Sequence, residues 1–166
     1  MSQRRFVKPN FIKCRLVAAG TAFVFSLILV PVFSWASLGG DTASIQADQL
    51  HMQGSRTTKA AESYTVHEIQ APTGTVVKEY LSPEGKVFAV AWNGPRMPDL
   101  RQVLGSYFEP YRAAVQLRSG ARMVRRPVAI NQPGLVVEIG GHIGAFSGRA
   151  YVPEMLPSSV RPEDLQ

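Results

Sequence analysis

The chain has 166 residues, eighteen lysines and arginines against twelve aspartates and glutamates, and one cysteine. That length fits a single domain, and a lone cysteine excludes a disulfide framework. The formal charge of +6 is concentrated at the start, where Arg4, Arg5, Lys8, Lys13 and Arg15 precede any acidic residue.

Those basic residues lead into an apolar run from Leu16 to Val32, and Ser34-Trp35-Ala36 then places small residues three and one positions before a cut. Basic, apolar, small-x-small is the order of a secretory signal peptide. Residues 1–36 are therefore expected to be removed, leaving a mature chain that begins at Ser37. The competing reading is an uncleaved anchor, for which this run is at the short limit for spanning a bilayer. Cleavage would leave thirteen basic residues against twelve acidic ones and no cysteine, because Cys14 leaves with the leader. Attraction to nucleic acid then loses its support, and no stable membrane span is expected after cleavage. The remainder is long enough to bury one core without covalent staples.

After Ser37, Leu38-Gly39-Gly40 reads as flexible. Asp41 is placed to cap a short helix over Thr42 to Gln53, with Gly54 as its stop. Its apolar content is sparse, so weak packing is expected. The polar stretch from Ser55 to Glu62 reads as a linker, which makes residues 37–62 a flexible start ahead of a single domain over 63–153. Tyr64 to Gln70, Thr75 to Leu81 and Lys86 to Trp92 follow as strands, separated by Ala71-Pro72-Thr73-Gly74 and Ser82-Pro83-Glu84-Gly85. Strict alternation puts Phe88, Val90 and Trp92 on one face of the third strand and Val87, Ala89 and Ala91 on the other. With both faces apolar, this strand is expected inside the sheet.

Pro98 suits the first turn of a helix. Leu100, Val103, Leu104, Tyr107, Phe108, Tyr111 and Val115 recur at helical spacing, and Pro110 inside the stripe predicts a kink or break near Ser106 to Glu109. Arg118, Arg122, Arg125 and Arg126 form a basic loop. Val128 to Asn131 is a short strand, and Gln132-Pro133-Gly134 carries the residues of a type II turn. Leu135 to Ile139 is the next strand, Gly140-Gly141 is read as its turn, and Ile143 to Val152 is the last strand. Residues 154–166 read as an irregular tail. The fold class is α+β, with antiparallel pairing and the order helix, three strands, helix, three strands after the leader. Phe88, Pro95 and Met97 recur as Phe146, Pro153 and Met155, and Gly74-Thr-Val-Val recurs as Gly134-Leu-Val-Val, an internal echo that suggests two related halves.

Several segments together carry a family resemblance. They are Gly74 to Tyr80 (G-T-V-V-K-E-Y), Val87 to Gly94 (V-F-A-V-A-W-N-G), Met97 to Leu100 (M-P-D-L), Leu104 to Phe108 (L-G-S-Y-F) and Gly140 to Pro153 (G-G-H-I-G-A-F-S-G-R-A-Y-V-P). In this order they resemble a family of small exported bacterial proteins, the domain of unknown function 2844, over essentially the whole chain after the leader. The resemblance implies export and supplies no activity.

Catalytic signatures are sparse. His51, His67 and His142 are separated, and His67-Glu68 lacks the second histidine of a zinc-binding helix. No Gly-x-Ser-x-Gly elbow is present; Asp99, Ser106 and His142 are the residues from which a hydrolase triad would have to be assembled. Gly140-Gly141-His142-Ile143-Gly144 lacks the Lys-Ser/Thr of a phosphate loop. It reads either as a turn whose glycines supply positive φ or as a tip that presents His142 to a partner. The arginine loop suits an acidic surface. No cofactor is expected. The functional expectation is a small exported binding or accessory module of the bacterial envelope, periplasmic or extracellular. Its partner would be another envelope protein or an acidic surface, engaged by Gly140, Gly141, His142 and Gly144 or by Arg118, Arg122, Arg125 and Arg126. A periplasmic hydrolase or a structural component of a surface assembly are the alternatives.

Overall fold

A computed structural model describes residues 37–119 and 128–166. It is an α+β fold built on one seven-stranded antiparallel sheet. In chain order come α1 (Thr42–Met52), β1 (Ser55–Ala60), β2 (Thr65–Gln70), β3 (Val76–Leu81) and β4 (Val87–Gly94). Then follow α2 (Leu100–Leu104), a 3-10 turn (Gly105–Tyr107), α3 (Phe108–Ser119), β5 (Val128–Gln132), β6 (Leu135–His142) and β7 (Ala145–Tyr151). Across the sheet the order is β1-β2-β3-β4-β7-β6-β5. Four strands, not three, separate the first two helical regions.

The extra strand is β1, which occupies the stretch expected to be a linker. Its residues are almost all exposed, and it pairs through its backbone from Ser55↔Gln70 to Ala60↔Thr65. No alternation of apolar residues marks such an edge strand, because neither face needs covering; polar edges also discourage pairing with other chains.

β4 lies between β3 and β7, and its first six residues are all buried. Its faces differ from strict alternation. Leu81 pairs with Val87 but the adjacent Tyr80 pairs with Ala89, leaving Phe88 as an extra residue in the ladder. The bulge sends Phe88 to the side of Ala89 and Ala91, where it meets Tyr64 and Tyr80 at ring separations of 6.1 Å. Val87, Val90 and Trp92 face the helices with Ile45, Val103, Leu104 and Ala114. The indole of Trp92 lies over its cross-strand partner Gly148, leaving no room there for a side chain.

Local chemistry explains the helices. Asp41 Oδ1 accepts from the backbone N–H groups of Ala43 and Ser44 at 2.9 and 3.1 Å, capping α1. The left-handed terminal residue is Gln53 (φ 51°), one position before the expected Gly54. The break in the second helical stripe sits at Gly105 (φ 51°), slightly earlier than expected; Pro110 falls in the first turn of α3, where its missing N–H costs no helical bond.

Two terminal segments that read as loose are built into the fold. Leu38 is fully buried, Gly39 N donates to Val87 O at 2.8 Å, and Val87 N donates to Gly40 O at 3.0 Å. At the other end the residues after β7 run across the sheet face opposite the helices, burying Val160 and Leu165 against Tyr80, Phe88, Ala89 and Ala91. The Tyr80 hydroxyl donates to Gln166 O at 3.0 Å. Arg149 ties to the same segment through Pro162 O.

The internal echo has a counterpart in the sheet. From the central β4–β7 pair it runs outward as β3, β2 on one side and β6, β5 on the other. Val77 faces Trp92 across β3–β4, and its echo Val137 faces Ala150 across β6–β7.

Candidate functional site

β6 and β7 form a hairpin whose end runs past the last paired residue of β4, since Gly94 pairs with Phe146 while the hairpin continues to His142↔Ala145. The reversal is at Ile143-Gly144, three residues later than expected; Gly140 and Gly141 lie within β6. Gly144 has φ 89° and Gly141 φ 100°, and a Cβ on Gly141 would run into the Ala145 carbonyl oxygen. The glycines thus have a conformational reason to be there. His142 is exposed, with Nδ1 3.0 Å from Ile143 O. The signal not weighed in the sequence is Ile143 between them, which is 93% exposed. A large apolar side chain held in water by a tight turn is a feature that a partner surface would cover.

At the base of the same hairpin lies an open groove of about 460 Å³, lined among others by Trp92, Glu138, Gly140, Ser147, Gly148 and Arg149. Gly140 leaves its strand bare, and Gly148 lies beneath the Trp92 indole. Glu138 and Arg149 pair across the strands, with Arg149 Nε donating to Glu138 Oε2 at 2.7 Å. The Trp92 indole Nε1 is buried and has no hydrogen-bond partner among the described residues.

The remaining sequence candidates are dispersed. Asp99 Oδ1 accepts from Arg101 N at 2.9 Å as the cap of α2, Ser106 is exposed in the 3-10 turn, and His142 bonds to its own hairpin. No hydrogen bond links these three among the described residues. Arg122, Arg125 and Arg126 lie outside the described residues, and Arg118 is placed only as a backbone position in α3. Among the described residues no three His, Cys, Asp or Glu side chains converge as a metal site, and no helix is long and apolar enough to cross a membrane.

Sequence reasoning missed one polar cluster entirely. Under α1, Glu79 of β3 is 0% exposed and Asp48 of α1 is 2% exposed. Ser37 Oγ donates to Glu79 Oε1, and Gln102 Nε2 of α2 donates to Asp48 Oδ1 at 2.6 Å. Glu79 Oε2 and Asp48 Oδ2 receive no hydrogen bond from another group among the described residues, and the two carboxyls bond to each other only through a proton on one of them. Burial first, then the neighbouring Asp48 carboxyl, pushes the Glu79 pKa up to about 9, opposed by the Ser37 hydroxyl and the charge of Arg56. A proton held on Glu79 is what lets two acids lie together in a dry site. His67 faces Glu79 across β2–β3, and its Nδ1 is 3.1 Å from Thr58 Oγ1. Burial and then Arg56 lower the His67 pKa. The signal was present: Val77, Glu79 and Leu81 alternate toward one face, and Asp48 follows Ile45 by three positions on the buried stripe of α1. Both acids occupy core-facing positions.

A family model described as Protein of unknown function (DUF2844) matches residues 34–165. No curated protein and no solved structure matches the chain.

Proposed function

We propose that this chain, which belongs to the DUF2844 family of proteins of unknown function, is an exported module of the bacterial envelope that acts by binding another envelope protein through the β6–β7 hairpin. The observation that carries this reading is Ile143, 93% exposed at a tight turn beside the exposed His142. An apolar knob and a titratable ring on a two-residue reversal make a compact contact surface. The groove at the hairpin base extends it with bare strand backbone and the Glu138–Arg149 pair. Interfaces of this kind use a few apolar or aromatic anchors surrounded by polar groups. Export is supported by the leader pattern of residues 1–36, and the near balance of charge after it favours a protein partner over nucleic acid.

The buried acids do not favour an enzymatic reading, because Glu79 is closed off from solvent in the described structure. Capture from an envelope extract tests the proposal. Protein carrying Ile143→Ser or His142→Ala should melt like the wild type and retain less of the captured partner. Unchanged retention by both variants would remove the hairpin from the interface.

A further inference from the structure

We propose that the buried Asp48–Glu79 pair is a receptor for the α-ammonium group created at Ser37 when the leader is cut away, so that processing completes the core with an internal ion pair. The inference rests on the exported reading, which places the cut between Ala36 and Ser37. It follows from where Ser37 sits. Ser37 is fully buried, its Oγ donates to Glu79, and its backbone nitrogen lies 3.5 Å from Gln102 O. Leu38 N donates to Val103 O at 3.1 Å, and Gly39 and Gly40 pair with Val87, so the new terminus is fastened before it could swing into solvent.

The chemistry of the cut supplies what the site lacks. A peptidase adds water across the Ala36–Ser37 amide bond; Ala36 departs with the carboxylate, and the nitrogen stays on Ser37. An amide nitrogen offers one N–H, whereas a protonated amine offers three and a full positive charge. The Gln102 carbonyl already stands at that nitrogen, and Glu79 Oε2 and Asp48 Oδ2 receive no hydrogen bond from any other described group. The Glu79 and Asp48 carboxyls therefore satisfy each other only through a shared proton, which an ammonium would replace. The groups facing the pair from the surrounding elements are Arg56 on β1, His67 on β2 and Gln102 on α2. Arg56 is the one cation among these groups and its charge opposes a second, while His67 is held toward its neutral form, so the two acids still outnumber the cations that face them. Removing either carboxylate would leave the ammonium buried with less compensation.

The test uses the full chain, exported and processed by bacterial cells. Intact mass first fixes the starting residue. A chain left uncut, or cut elsewhere, contradicts the exported reading and takes this proposal with it. With Ser37 confirmed as the first residue, periodate is the probe, since it oxidises the amino alcohol of an N-terminal serine with a free amine. The native protein should react roughly tenfold or more slowly than the same protein in urea, as a group released only by local opening does. Glu79→Gln and Asp48→Asn should each raise the native rate while keeping a cooperative melt. A wild-type rate equal to that in urea overturns the proposal, and so does protection that both folded variants retain. If neither variant folds, wild-type full chain in detergent is melted before and after signal-peptidase cleavage. A higher melting temperature after the cut supports the pairing; an equal or lower one overturns it.

Discussion

Phe88 and Trp92 are four residues apart on one strand and stand on opposite sides of the sheet. Phe88 packs with Tyr64 and Tyr80 under the C-terminal segment, whereas Trp92 packs beneath the helices over Gly148. An even spacing along a regular strand would put them on the same face. The extra residue between the Leu81↔Val87 and Tyr80↔Ala89 pairs separates them. The two rings therefore belong to two layers of core. Phe88→Leu and Trp92→Phe should each destabilise the domain, and the double variant should lose the sum of the two within about 0.5 kcal/mol. Denaturant melts of the four proteins check this, and a coupling well beyond that figure would place the rings in one cluster.

That bulge also marks the limit of what could be read from the chain. Fold class, the interior position of β4 and the Asp41 cap were legible; a break in the second helical stripe was expected too, but from Pro110 and not from Gly105, where it falls. The facing of Phe88 depends on how β3 and β4 pair, which no single segment records. β1 left no apolar pattern because it is an edge, and the C-terminal segment looked irregular because its apolar residues are spaced by prolines. For the candidate site, the glycines and His142 were legible as a tip. The Asp48–Glu79 cluster joins residues far apart in the chain, so only the misplaced acids on apolar faces hinted at it.

The C-terminal segment should be a structural part of the domain. Leu165 is buried against the sheet, so Leu165→Ala should cost about 2–5 kcal/mol, as for other buried leucines. Tyr80→Phe removes the hydroxyl that bridges to Gln166 and should cost about 1 kcal/mol. Chemical denaturation measures both. A Leu165→Ala protein as stable as the wild type would show that the segment does not hold the face.

The two neighbouring glycines of the hairpin should respond differently to substitution. Gly141→Ala forces a side chain into positive φ and against the Ala145 carbonyl, a cost of at least about 1–2 kcal/mol. A Cβ on Gly140 would meet Ser147 Oγ at an ordinary 3.9 Å, so Gly140→Ala should be mild. His142→Ala should leave the melting temperature nearly unchanged because the ring is exposed. Equal effects at Gly140 and Gly141 would contradict the described turn.

Stability should depend on pH through the buried cluster. Burial and the Asp48 carboxyl push the Glu79 pKa from the ordinary 4.5 up to about 9 in the uncleaved fold, so between these values unfolding releases a proton. Its contribution is full at low pH and is lost as pH rises toward 9. His67 has the opposite sign: its lowered pKa makes stability fall as pH drops below 6.5. Melts of the uncleaved chain in detergent should therefore decline from neutral pH to pH 9. Glu79→Gln should flatten that decline. An ammonium at Ser37 would favour the ionised acid, so the processed chain should also show a shallower alkaline decline. A wild-type curve as flat as that of Glu79→Gln in the uncleaved chain would show that Glu79 is ionised there.

The claim that the β6–β7 hairpin is the contact surface is tested most directly in cells. A photo-crosslinking residue is placed at Ile143 in the exported chain, and at the exposed Gln46 of α1 as a control. Irradiation should give a discrete adduct with an envelope protein from position 143 and none from position 46, and His142→Ala should weaken it. Absence of an adduct at 143 in correctly localised protein, or the same adduct from both positions, would contradict the account.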